Sequence, residues 1–131
     1  MSVRFLSKKH KRQRAFHFGI LAEKIAAGLL RLKGYRIVHR RYKTPVGEID
    51  LIARNKKRIL FVEVKARQAL PADGELVTRQ QQHRIVRAAE WFLMKHGQKM
   101  AVNVRFDLIV LTRRGRIRHY QNAWGQTSES Y

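Results

Sequence analysis

The chain has no cysteine, two prolines and only nine acidic residues among 131, against 29 lysines and arginines. Without cysteine there is no disulfide framework and no thiolate metal site, and a reducing, cytoplasmic setting is the expectation. Long apolar runs are also missing. The most apolar stretch, FGILAEKIAAGLL (18–30), is interrupted by Glu23 and Lys24 and is too short to span a bilayer. The basic stretch KKHKRQR (8–14) does not lead into the uninterrupted apolar core of a secretory signal. The shortage of acids leaves a net charge of +20 and a pI near 11.5, which points to a polyanionic partner, nucleic acid before a membrane surface. A hydrophobic fraction of 44% argues for a real core in place of a disordered polycation.

There is no internal repeat and no low-complexity linker. The expected organisation is a mobile basic arm over 1–14, one α/β domain over 15–122 and a polar tail over 123–131, whose Trp124 either packs back onto the domain or mediates a contact. The pattern from Phe16 to Lys33 is helical and Gly34 stops it. YRIVHRRY follows as a strand, with Tyr35, Ile37 and His39 expected on one face. Two strands joined around 55–58 form a hairpin. A loop containing Pro71 and Gly74 leads to a second helix, with a capping box at Thr78 and Gln81, an apolar stripe at Ile85, Ala89 and Phe92, and a stop at Gly97. VNVRFDLIVL reads as a strand, and RRGR turns the chain into a last short strand near 117–120. A helix between two strands implies a parallel, right-handed crossover, hence a mixed sheet flanked by two main helices.

Three of the nine acids, Glu48, Asp50 and Glu63, fall in one segment, VGEIDLIARNKKRILFVEVKAR (46–67). A hairpin closed symmetrically on Lys56 and Lys57 sets Asp50 opposite Glu63, with Cβ atoms roughly 5 Å apart. The strand period of two adds Lys65 beside Glu63, while Leu60, Val62 and Val64 alternate to the core. Opposed carboxylates repel unless a positive charge sits between them. Lys65 or Arg67 would serve in a surface ion network; a divalent cation bound by the carboxylates, water and phosphate oxygens would serve in a catalytic site. Geometry alone leaves both open. Glu23 adds a third acid, because Gly19, Ile20, Ala26 and Ala27 around it on the first helix cannot neutralise it. Either it sits at the rim of the buried face, or small neighbours let the helix approach until Glu23 reaches the hairpin acids. Glu48 reads as a solvated acid or an outer ligand. Asp107 reads as the salt-bridge partner of Arg105. His39, His83 and His96 share no metal-binding spacing.

AEKIAAGLLRLKGYRI, VGEIDLIARNKKRILFVEVKAR and VRFDLIVL together resemble the YraN-like family of bacterial proteins. That family is similar to archaeal Holliday-junction resolvases in the restriction-endonuclease-like, PD-(D/E)xK superfamily. The resemblance spans about 16–112. It implies a restriction-endonuclease-like α/β fold and a metal-dependent DNA endonuclease with Glu23, Asp50, Glu63 and Lys65 as its catalytic set. Asp50, Glu63 and Glu23 would then hold Mg²⁺ or Mn²⁺. Ile49 stands where the superfamily name has proline, and Gln80, Gln81 and Gln82 stand where relatives tend to carry lysine. Arg67, Gln81, Lys56 and Lys57 are the candidate nucleic-acid contacts. DNA is the expected partner, with RNA left open and no membrane, and cutting two strands would call for a homodimer. A nucleic-acid-binding protein with a vestigial site is the alternative.

Overall fold

The computed structural model describes residues 2–70, 76–96 and 103–125, with 2–7 as backbone alone. In chain order the elements are α1 (Ser2–Leu32), β1 (Arg36–Thr44), β2 (Gly47–Arg54), β3 (Arg58–Arg67), α2 (Arg79–His96), β4 (Asn103–Thr112) and β5 (Ile117–Trp124). They build one five-stranded sheet in the order β1-β2-β3-β4-β5. β3 and β4, on either side of α2, are parallel, and the other neighbours are antiparallel. This is the α/β mixed sheet with two helices that the pattern implies.

The first helix differs from its expected extent. It begins at Ser2, not near Phe16, so the segment expected to be an arm is helical. Residues 2–15 contain no glycine or proline and are rich in Lys and Arg, so nothing in them breaks a helix that the core already nucleates. At the other end Gly34 takes φ +93, and the Tyr35 amide donates to the Leu30 carbonyl at 2.9 Å, the left-handed cap that glycine favours.

Each helix covers one side of the sheet. Ala26, Ala27 and Leu30 of α1 pack on Leu51, Ala53, Leu60, Val62 and Ile109. Ile85, Val86, Ala88, Ala89 and Phe92 of α2 pack on Ile52, Ile59, Phe61, Phe106 and Val110. β3 is therefore buried on both sides, so the face that carries Glu63 and Lys65 is apolar over its first half. Ile59 and Phe61 lie beneath α2, and polar side chains begin only at Glu63.

Three local features refine the sequence picture. The Thr78 amide donates to Gln81 Oε1 and the Gln81 amide to Thr78 Oγ1, both at 3.1 Å, so the expected capping box starts α2. A bulge between Ile37 and His39 breaks the alternation of β1. Tyr35 and Ile37 join the α1 side, while His39 meets Phe92 of α2 with ring centroids 5.6 Å apart. β5 runs on to Trp124, which is buried and stacked on Phe106, so this residue belongs to the core and not to the tail. Pro71, Gly74, Gly97 and residues 126–131 lie outside the described residues.

Candidate functional site

β2 and β3 pair Leu51 with Val62, Ile52 with Phe61, Ala53 with Leu60 and Arg54 with Ile59, the register of a turn centred on Lys56 and Lys57. Asn55 Oδ1 closes that turn by accepting from the Lys57 and Arg58 amides. One step further along the ladder, Asp50 stands across from Glu63, and side chains replace backbone pairing. The Val64 amide donates to Asp50 Oδ2 at 2.8 Å. The Glu63 carboxyl lies close enough to share a hydrogen bond with Asp50. Lys65 Nζ is 3.5 Å from Glu63 Oε2, with only 15% and 14% of these two side chains exposed. Asp50, Glu63 and Lys65 thus come together as the register argument requires.

Gly47 is one reason β2 reaches this position. A Cβ there would sit 2.8 Å from the Arg84 carbonyl oxygen of α2, so only glycine allows the helix to lie this close to the start of β2.

The electrostatics of the pair are unusual for two aspartate-type groups on a protein this basic. Burial pushes the Asp50 carboxyl up from 3.8 to about 8, helped by the hydrogen bond and negative charge of Glu63; the Val64 amide and Lys65 oppose the shift. Near neutral pH the cation-free pair therefore keeps a proton. Two hard carboxylates buried side by side are a donor set that could hold Mg²⁺ or Mn²⁺, which needs only one or two carboxylates beside water and phosphate.

Glu23 takes a different course. The neighbouring alanines, Ala22, Ala26 and Ala27, are buried and do let α1 approach the sheet. Its carboxylate, however, accepts from Arg41 Nε at 3.0 Å. Among the described residues no group of three or more His, Asp or Glu is placed to hold a metal ion, so Glu23 does not join the hairpin pair. The topology supplies a reason. α1 covers the side of β3 that carries Leu60 and Val62, and Glu63 and Lys65 alternate to the other side. Arg41 was not singled out in the sequence. It occupies the β1 position opposite Asp50, between the pairs Arg40 with Leu51 and Tyr42 with Ile49, at φ 49. That irregular backbone leaves no periodic trace.

The remaining candidates are scattered. Glu48 is exposed on β2, as a solvated acid would be. Arg67 is exposed, and its Nη1 donates to the Ala66 carbonyl at 2.9 Å. Gln81 commits its side-chain oxygen to the helix cap. Lys56 and Lys57 lie at the far end of the hairpin, six or more residues and about 20 Å of strand from Glu63. There they line a cleft of about 630 Å³ with Gly34, Arg36, Arg54 and Asn55.

Asp107 is the second acid of the sheet interior and is fully buried. Arg105 grips it with both arms, Nε to Oδ1 and Nη2 to Oδ2, each at 2.9 Å. His119 Nε2 lies 2.7 Å from Oδ2, and the Asn122 amide donates to Oδ1 at 3.0 Å. Lys33 Nζ donates to His119 Nδ1 at 2.7 Å, which leaves Nε2 as the nitrogen that donates to Asp107. Burial would raise this carboxyl, but the hydrogen bonds from His119, Arg105 and Asn122 outweigh it and hold Asp107 below its ordinary value. The expected Arg105 pairing is present. His119 and Lys33, distant in sequence, had no motif to announce them.

Comparison with known proteins places the chain in a family. A family model described as Uncharacterised protein family UPF0102 matches residues 22–111. A UPF0102 protein of Nitrobacter winogradskyi is 46% identical over 110 residues, covering 84% of this chain and 93% of its own. One from Bradyrhizobium sp. (strain ORS 278) is 46% identical over 114 residues, covering 87% of this chain and 81% of its own. Another, from Bartonella tribocorum, is 47% identical over 103 residues, covering 79% of each. The chain belongs to the UPF0102 family, which confirms the YraN-like resemblance at the family level. The matched segment contains Glu23, Asp50, Glu63, Lys65 and Asp107, and leaves out the basic first half of α1.

Proposed function

We propose that this UPF0102 protein is a metal-dependent nuclease that hydrolyses phosphodiester bonds of DNA, on a restriction-endonuclease-like version of its α/β fold. One observation carries the reading: Asp50 and Glu63 are held together and partly buried, with Lys65 as the cation beside them. In a chain with three times as many cations as anions, a structural acid pair would be expected to recruit an arginine, as Asp107 does. The net charge of +20 supports nucleic acid as the polyanion, and branched or repair-intermediate DNA follows from the resemblance to resolvases.

In this reading Asp50, Glu63 and the Val64 carbonyl would hold Mg²⁺ or Mn²⁺. When bound, such an ion supplies charge neutralisation at the phosphate and makes a nearby water more acidic. The Val64 amide fixes Asp50 by holding Oδ2 at 2.8 Å. Lys65 orients the attacking water and offsets charge that builds on the phosphate oxygens. The water oxygen bonds to phosphorus as the bond to the leaving sugar oxygen breaks, and the leaving oxygen takes a proton from solvent. Paired cleavage of two strands would need a second copy of the site, which a homodimer would provide.

A non-catalytic nucleic-acid-binding protein is the second reading, and one observation favours it. Glu23, the third acid of the implied catalytic set, is engaged by Arg41. Incubating the protein with linear, single-stranded, flapped and four-way-junction DNA, with and without Mn²⁺, separates the two. The nuclease reading expects Mn²⁺-dependent cleavage that falls by at least about a hundredfold in Asp50→Asn, since an amide replaces a charged ligand. Binding to all four DNAs with no cleavage in any metal would leave the non-catalytic reading standing.

A further inference from the structure

The first half of α1 is an anomaly for a free helix. Lys8, Lys9, Lys11, Arg12 and Arg14 are exposed, and no acid precedes Glu23. Lys8 is three and four residues from Lys11 and Arg12, and Lys11 is three from Arg14, so like charges stack along the helix. A helix of 31 residues is about 46 Å long, and its buried contacts with the sheet come only from Ala22 onward. Its first half therefore reaches well beyond the part that the core holds.

Where it reaches is informative. The C-terminal end of α1 meets the hairpin turn, since Gly34 shares a cleft with Lys56 and Lys57. α1 thus runs antiparallel to β3, and its first half lies at the end of the sheet that carries Glu63, Lys65 and Arg67. There Lys11, Arg14 and Ala15 line a cleft of about 450 Å³ together with Gln68 and Arg113. The Arg113 guanidinium lies over the Phe18 ring at 4.7 Å from its centroid, and the Arg113 amide donates to the Arg67 carbonyl at 3.1 Å. Helix and strand ends are thereby held against each other, with three cations and no acid among the described residues that line the cleft.

We propose that this cleft binds the phosphodiester backbone of a nucleic acid and leads it across the end of the sheet to the acid pair. Lys11, Arg14 and Arg113 are its phosphate contacts and positioning residues. Gln68 is three residues past Lys65, about 10 Å along the strand, which matches about three backbone charges of one DNA strand. Gln68 alternates to the α1 side, Lys65 and Arg67 to the other, so a strand lying over the sheet end meets both. A polyanion there relieves the like-charge stacking of Lys11 and Arg14 in α1. The proposal rests on nucleic acid being the partner, and does not require that the acid pair be catalytic.

The experiment compares three proteins: the unmodified chain, the triple variant Lys11→Gln, Arg14→Gln, Arg113→Gln, and a control triple of exposed cations elsewhere, Lys24→Gln, Arg31→Gln, Arg87→Gln. Affinity for a short fluorescent DNA duplex is measured without divalent metal across a range of salt. Each lost phosphate contact lowers the slope of log affinity against log salt by about 0.9, so the cleft triple should lose about 2 to 3 and the control triple less than 1. Arg113→Lys, which keeps the charge, should retain most of the slope. Equal losses in the two triples would show binding by bulk charge and overturn the proposal. An unmodified protein with no salt-dependent binding would overturn it together with the nucleic-acid reading. Slope loss confined to the cleft triple supports it, including in a protein that cuts no DNA, where the catalytic reading alone would fall. Cleavage with an unchanged slope would overturn the cleft and leave that reading intact.

Discussion

Asp107 and Asp50 are two acids in one sheet, on either side of β3, and they are treated in opposite ways. Asp107 pairs in register with Val62, and Asp50 lies across from Glu63, the next residue along. Asp107 receives two bonds from Arg105, one from His119 and one from the Asn122 amide, and its carboxyl is held below the ordinary range. Asp50 receives one amide, faces another acid and is pushed up to about 8. A buried charge kept for architecture is given its full set of donors, because an unsatisfied one costs several kcal/mol. The Asp50–Glu63 pair has a single lysine beside it, Lys65, and that sparse set of donors is why we propose it as a cation site.

The comparison can be sharpened first at its structural pole. Asp107→Asn strands the Arg105 guanidinium and should lower stability by about 3–5 kcal/mol, read from denaturant unfolding, while Mn²⁺ changes nothing further. The next effect has the opposite sign. Because Asp50 binds its proton more tightly in the folded chain than in the unfolded one, it destabilises the cation-free protein increasingly as pH rises from about 4 to about 8. Asp50→Asn removes that slope, so the variant should gain on the unmodified protein by up to about 1 kcal/mol per pH unit across the window and show no gain below it. Thermal unfolding of both proteins over that pH range checks this; a variant less stable at every pH would make Asp50 a second Asp107. The smallest effect expected is at His119→Leu, which deletes one of four donors to Asp107 and frees Lys33. A loss of about 2 kcal/mol, with no change in DNA binding or cleavage, would mark that network as architecture.

Much of this was legible in the sequence for a simple reason: β2, β3 and the turn between them are local. A symmetric turn at Lys56 and Lys57 and a period of two suffice to bring Asp50, Glu63 and Lys65 together. The capping box at Thr78 and Gln81 is likewise a matter of four adjacent residues. What escaped depends on backbone irregularity or on distant partners. The bulge after Ile37 turned His39 to the other helix, and the left-handed Arg41 reached Glu23 across 18 positions of sequence. His119 and Lys33 meet over 86 positions. The helical start at Ser2 was missed because a run of cations resembles a solvated arm, yet its residues are good helix formers once the core supplies a nucleus. That Trp124 packs back onto the domain was one of two readings of the tail; its partner Phe106 is visible only once β4 and β5 are paired.

The central claim, that Asp50 and Glu63 form a cation site, is tested most directly by the melting temperature with and without Mn²⁺ near pH 8, where about half of the Asp50 carboxyls have lost the competing proton. A ligand that binds only the folded chain raises its stability in proportion to the logarithm of its concentration over its dissociation constant. The account predicts a rise in melting temperature with Mn²⁺ for the unmodified protein and none for Asp50→Asn. An unmoved melting temperature, or the same rise in both proteins, would contradict it.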